Sequence, residues 1–107
     1  MANILPIEAL GDPTRRRLFE RLREGPCSVN DLVDAVPISQ PAVSQHLRVL
    51  KEARLVQVRK LGQQHIYSLN PGGLAELRAY VESLWDQVLG SFQEAAEKYA
   101  KEETNKP

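Results

Sequence analysis

Residues 38–50 read Ile38-Ser-Gln-Pro-Ala-Val-Ser-Gln-His-Leu-Arg-Val-Leu50, and their spacing predicts a helix with two unlike faces. Ser39 stands just before the periodic run, where its hydroxyl can accept a first-turn N–H as an N-cap. Pro41 suits a first turn, whose N–H groups have no helical carbonyl to bond, and Ile38 is placed to pack on Val43 as a hydrophobic staple. Val43, Leu47 and Leu50 recur at intervals of four and three and share one buried stripe. The opposite face carries Pro41, Ser44, Gln45 and Arg48, with Gln40 at the N-terminal tip. Glutamine can hold an adenine edge through two bonds, arginine a guanine, and serine either, so this face suits a major groove. Taken alone, it is equally compatible with the solvated side of an ordinary amphipathic helix.

The flanks favour the groove. Gly25-Pro-Cys-Ser-Val-Asn-Asp-Leu-Val-Asp-Ala-Val36 reads as a chain breaker, a cap at Ser28 with Asp31 three residues on, and a short helix whose apolar side is Val29, Leu32, Val33 and Val36. Pro37-Ile38 turns the chain. Two short helices joined by a tight turn, the second capped by serine and polar outside, make a helix-turn-helix over about residues 28–53. Ala53-Arg54 ends the second helix. Leu55-Val-Gln-Val-Arg-Lys-Leu-Gly-Gln-Gln-His-Ile-Tyr-Ser-Leu69 then alternates as two strands about Gly62-Gln63. Such a hairpin forms a wing that lies beside a duplex and touches phosphates or a minor groove. Arg59, Lys60, Gln63, Gln64 and His65 stand near its tip.

Charge is distributed in keeping with this. The 107 residues carry 14 Lys/Arg and 14 Asp/Glu, a formal net charge of zero. From Arg15 to His65, however, ten basic residues face five acids, a local net charge of +5, whereas residues 66–107 hold four basic groups and seven acids. The positive charge is concentrated on the module expected to read DNA. No apolar run approaches the roughly 20 residues of a membrane span, and no signal-peptide pattern opens the chain. Cys27 is the only cysteine, which excludes an internal disulfide, and a cytoplasmic protein is expected.

Upstream, Ile4-Leu-Pro-Ile-Glu-Ala-Leu10 suits a short helix whose apolar side needs covering. Asp12-Pro13 supplies a cap and a proline at the first helical position, starting a helix that runs to about Arg23 with Leu18, Phe19 and Leu22 inward. Arg15, Arg16 and Arg17 span nearly half its circumference, so they either meet different partners or are solvated and pair locally with Glu20 and Glu24. Downstream, Asn70-Pro-Gly-Gly reads as a turn, and a long helix starts near Gly72 or Gly73 and runs to about Lys101, before a frayed tail over 102–107. Its apolar positions exceed what a small domain can cover, and the surplus points to a homodimer centred on Leu84, Trp85, Val88 and Phe92. Leu74 and Leu77 are expected to close the monomer core instead.

The segment from Leu10-Gly-Asp-Pro-Thr-Arg-Arg-Arg-Leu-Phe19, through Ile38 to Val56, to the wing Arg59–Leu69 resembles the ArsR/SmtB family of bacterial winged-helix repressors over roughly residues 5–100. The resemblance implies a mainly α fold with a β-hairpin wing that dimerises through its terminal helices. It also implies that the first helix, with Leu5, lies against the last helix of the partner subunit. The expected partners are double-stranded DNA and a second copy of the chain, with no membrane. The inducer, if any, is not named by the sequence.

Many members of that family bind a metal through a Cys-Val-Cys-Asp-Leu motif, and here the aligned residues are Ser28-Val-Asn-Asp-Leu32. Neutral oxygen and amide groups bind thiophilic metals poorly, so no metal or cofactor is expected. A second family site uses Asp and His on the last helix, where this chain has Asp86 and no histidine between Pro71 and Lys101. Cys27 reads as a small packed side chain rather than a redox sensor. His46, at the flank of the buried stripe, suits packing or a local hydrogen bond as well as DNA contact. Neither His46 nor His65 has a nucleophile at a spacing that suggests a triad, and no phosphate-cradling glycine loop is present, so the chain does not read as an enzyme. The competing functional reading is a winged helix that binds protein and no longer reads DNA. A further variant is a ligand-responsive regulator with an effector cleft near the dimer interface.

Overall fold

Side-chain caps start most of the helices in the computed structural model, which describes residues 4–104. The order is α1 (Pro6–Ala9), α2 (Pro13–Arg23), β1 (Cys27–Ser28), α3 (Val29–Ala35), α4 (Gln40–Glu52), β2 (Val56–Leu61), β3 (Gln64–Leu69) and α5 (Pro71–Thr104). The Asp12 carboxylate accepts from the Arg15 N–H at 2.9 Å to open α2, with Pro13 in the first turn. Ser28 and Asp31 form a reciprocal capping box on α3, with bonds of 3.1 and 3.2 Å. The Ser39 hydroxyl accepts from the Ala42 N–H at 3.4 Å to open α4. Each cap satisfies a donor that the helix itself cannot.

The start of α5 corrects the sequence reading. Asn70 Oδ1 accepts from the Gly72 N–H at 3.0 Å, and with Pro71 behind this cap the helix begins at Pro71 rather than at Gly72 or Gly73. The residues read as a turn are its cap and first turn. At the other end α5 continues to Thr104, past the expected limit near Lys101, and 105–107 of the expected tail lie outside the described residues.

The sheet contains one strand more than expected. β2 and β3 form the hairpin, in register from Val56 opposite Leu69 to Leu61 opposite Gln64. Gly62 takes φ of 63° at the first central position of its two-residue turn, which suits glycine there, as in type II′ turns. β1 joins the far side of β3, pairing Cys27 with Tyr67 and Ser28 with Ile66, so the strand order is β1-β3-β2. Two residues are too few to show an alternation, and the segment reads locally as breaker and cap. The pairing ties the base of the wing to the start of α3.

The described residues fall into two compact units divided between Leu77 and Arg78. In the first, Leu18 and Leu22 of α2, Leu32 of α3, and Val43, Leu47 and Leu50 of α4 are buried together with Leu55 and Val56. Phe19 and Leu74 pack against this cluster and are partly buried. Arg15 turns back, its Nε donating to the Ala9 carbonyl at 2.6 Å, which holds α1 to α2. Glu20 and Glu24 pair with Arg23 at 3.3 Å and Arg21 at 3.1 Å, so of the two readings of Arg15–Arg17 the pairing with these acids is not the one formed. Arg15 is committed to α1, and Glu24 is two turns away from Arg17 but one turn from Arg21.

The junction between α4 and α5 is closely packed. α4 ends with Arg54 at φ 61°, and the Leu55 N–H bonds the Leu50 carbonyl at 3.0 Å while the Arg54 N–H bonds Lys51 at 2.9 Å, a Schellman closure built on a non-glycine residue. The Arg54 guanidinium then grips the Glu76 carboxylate through Nε at 2.9 Å and Nη2 at 2.5 Å. Beneath that pair, a Cβ placed on Gly73 would lie 1.7 Å from the Arg54 carbonyl oxygen. Only glycine lets the two backbones approach this closely.

Two outcomes follow for stability. In an open helix Gly→Ala would stabilise by about 1 kcal/mol, but Gly73→Ala should instead cost about 2–3 kcal/mol through overpacking. Urea denaturation checks this, and an unchanged or raised midpoint would contradict the close approach. The second concerns Asp12, whose carboxyl is held below its usual range chiefly by the Arg15 backbone N–H, with the Arg15 and His46 charges adding to this. A folded pKa below the unfolded one stabilises above the unfolded value, and the gain disappears as pH falls through the folded value. Asp12→Ala should therefore cost about 1 kcal/mol at pH 7, with the gap to the parent narrowing below about pH 4. A gap independent of pH would show that the cap does not act through the carboxylate.

Candidate nucleic-acid interface

The orientation of α4 follows from its buried stripe. With Val43, Leu47 and Leu50 turned into the core, Ser39, Gln40, Pro41, Ser44, Gln45 and Arg48 are all exposed. Among the described residues, Gln40, Ser44 and Gln45 make no intramolecular side-chain hydrogen bond, so their donors and acceptors are available. Ser39 is partly committed as the cap. Arg48 lies 3.4 Å from Glu52 one turn on, with both side chains at the surface. An exposed pair of this kind is worth at most about 1 kcal/mol, so it does not prevent Arg48 from engaging a stronger partner.

The wing places its expected residues on two different faces. Strand side chains alternate, and cross-strand partners share a face. Lys60 is paired with His65, in line with Val58–Tyr67 and Val56–Leu69, whose side chains are buried or partly buried. Arg59 is paired with Ile66 and falls on the opposite face with Gln57 and Ser68. Arg59, Lys60, Gln63 and Gln64 are all exposed. Sequence proximity grouped Arg59 with Lys60, whereas the register separates them.

His46 is turned away from the exposed face of α4. Its Nδ1 lies 3.9 Å from the Asp12 carboxylate and 3.5 Å from Arg15 Nη1, so the half-buried ring belongs to the junction of α1, α2 and α4. The ring makes an intramolecular contact, with residues of α2 and its cap rather than with its neighbours in sequence. Arg15 is the residue of this node that sequence reasoning missed, because its partners lie on other elements.

The donor set at the start of α3 does not fit a metal ion. The Ser28 hydroxyl and the Asp31 carboxylate are each engaged in the capping box, and Asn30 offers only a neutral amide. Cys27, one position earlier, is 2% exposed, and its Sγ donates to the Gly25 carbonyl at 3.4 Å. Burial pushes its thiol up, away from the thiolate needed for metal binding or redox chemistry. Among the described residues no group of three or more His, Cys, Asp or Glu side chains is placed to hold an ion.

In the second unit, α5 leaves a row of large apolar side chains at the surface. Trp85 is 59% and Phe92 71% exposed, with Leu84 and Val88 at 44% each. Val81, Leu84, Trp85 and Val88 border an apolar furrow of about 310 Å³. At the start of α1, Leu5 is also exposed, at 48%. Patches of this kind commonly mark interaction sites. No helix among the described residues is long and apolar enough to cross a membrane.

Comparison with known proteins agrees with this architecture. Residues 12–58, which run from the α2 cap through the helix-turn-helix into β2, match the family described as bacterial regulatory protein, arsR family. The HTH-type transcriptional regulator Rv2034 of Mycobacterium tuberculosis is 48% identical over 85 residues, which cover 79% of each chain. The transcriptional repressor SdpR of Bacillus subtilis is 38% identical over 63 residues, 59% of this chain and 70% of that one. A crystal structure of a possible transcriptional regulator for arsenical resistance superposes with a TM-score of 0.71 at 44% identity, covering 82% of this chain and 96% of the other. The exposed polar face of α4, the wing beside it and these relationships lead to one conclusion: the chain belongs to the ArsR family of bacterial regulatory proteins, winged helix-turn-helix transcriptional regulators that bind DNA and are not enzymes.

Proposed function

We propose that this protein is a cytoplasmic homodimeric repressor that binds an inverted-repeat operator. The observation that carries this reading is the exposed row of uncommitted hydrogen-bonding side chains on α4, Gln40, Ser44 and Gln45, continued by Arg48. In this reading Ser39, Gln40, Pro41, Ser44, Gln45 and Arg48 meet bases or adjoining phosphates in a major groove, while Arg59, Lys60, Gln63 and Gln64 of the wing hold the flanking backbone. The exposed apolar row of α5, Leu84, Trp85, Val88 and Phe92, together with Leu5, supports a dimer, since water contact with these side chains is unfavourable and a second copy would remove it. Two recognition helices related by a two-fold axis would enter successive major grooves about 34 Å apart. A dimer bound in this way can block a promoter without touching the polymerase, and the SdpR relative is itself named a repressor.

Selection of duplexes from a random pool tests the whole reading. An inverted repeat should be enriched, and its affinity should fall steeply with salt. Enrichment of a single half-site would remove the dimer, and failure to enrich any sequence would remove sequence reading. On the selected duplex, Gln45→Ala should relax base preference by about 1–3 kcal/mol. Lys60→Ala should weaken all duplexes alike and lower the salt slope by about one. An unaltered preference in Gln45→Ala would exclude it as a base reader.

A further inference from the structure

A cleft of about 200 Å³ opens between the start of α3, the start of α4 and the tip of the wing. Ser28, Asn30, Gln40, Gln63, Gln64 and His65 line it; the Asp31 carboxylate is not among the lining residues but accepts from the Ser28 N–H at 3.1 Å. Asn30, Gln40 and His65 are exposed and, among the described residues, make no intramolecular side-chain hydrogen bond. Ser28 is engaged by the capping box. Lys60 does not line the cleft but is the cross-strand partner of His65, so its side chain stands on the same face of the wing as His65.

Two features indicate what the cleft holds. The first is chemical: amide and imidazole N–H donors converge from three elements beside a lysine, an arrangement suited to an anion. The second is continuity. Gln40 belongs both to this cleft and to the exposed face of α4, so a strand running from the groove occupied by α4 to the wing must cross the cleft.

We propose that the cleft seats one phosphate of the DNA backbone, with Asn30, Gln40 and His65 donating to its oxygens and Lys60 supplying charge beside it. This rests on the DNA reading proposed above. It adds Asn30 and His65 to the interface and gives them a role distinct from that of Lys60. The Asn30 amide is neutral, so its contact sets the register of the duplex on the protein and releases no counterion. Arg59 is not among the residues that line the cleft and takes no part in it.

The test uses the full chain, the selected duplex and a random-sequence duplex. Asn30→Ala and His65→Ala should each weaken both duplexes by about 10- to 100-fold, the effect of one hydrogen bond to a charged group. Base preference should be unchanged, and Asn30→Ala should also leave the salt slope unchanged. Neutral methylphosphonates are then scanned along the selected duplex. At one position per half-site the methylphosphonate should cost the parent more than it costs either variant, because each variant has already lost one contact to that phosphate, while Arg59→Ala should lose as much there as the parent. Unchanged affinity, an altered base preference, or variants as sensitive as the parent at every position would overturn the proposal. If the parent reads sequence but the variants behave like it, only the phosphate seat fails; if the parent binds no duplex, the DNA reading fails with it.

Discussion

Burial of three side chains on α4 governs the rest of the structure. Val43, Leu47 and Leu50 have no solvent exposure, and each such burial is worth about 1.5–3 kcal/mol. Because a helix turns about 100° per residue, fixing that stripe fixes the rotation of α4 and thereby turns Ser44, Gln45 and Arg48 outward. The same core receives Leu32 from α3 and Leu18 and Leu22 from α2. The polar face is therefore presented by the packing beneath it, with the Ser39 cap and the exposed Arg48–Glu52 pair as the contacts its own side chains make. That arrangement leaves its hydrogen-bonding groups available to a ligand.

Two polar nodes then anchor α4 to its surroundings. Near its middle, His46 lies against Asp12 and Arg15, and Arg15 in turn binds the last carbonyl of α1. At its end, the left-handed Arg54 closes the helix, pairs with Glu76 and presents its carbonyl to Gly73. The Glu76 carboxyl is held below its usual range chiefly by its hydrogen bond to Arg54. Both nodes lie at element junctions, where a shift would move α4 as a body. They connect the recognition helix to α1 and to the first turns of α5.

The wing shows how register sorts exposed polar residues. Its base is stitched to the helix-turn-helix through β1, and its alternation divides Lys60 and His65 from Arg59. Only the Lys60 side continues the face on which Val56, Tyr67 and Leu69 meet the core. One hairpin therefore presents two chemically different surfaces to whatever lies beside it.

Much of this was determined by the sequence itself. The caps at Asp12, Ser28 and Ser39, the stripe of α4, the polar face opposite it and the two-residue turn at Gly62 all depend on residues within a few positions of one another, and local patterns report local bonds. The same locality made Ser28 and Asn30 legible as poor metal ligands. What only the tertiary structure decided involves residues far apart in the chain. Arg15 meets His46 across 31 positions and Arg54 meets Glu76 across 22. Pairing of β1 with β3 and the close approach at Gly73 depend on similarly distant segments. No periodicity encodes such contacts, because they arise from how the helices and hairpin pack once formed. That packing also brings Asn30, Gln40 and His65 to a single cleft from three elements.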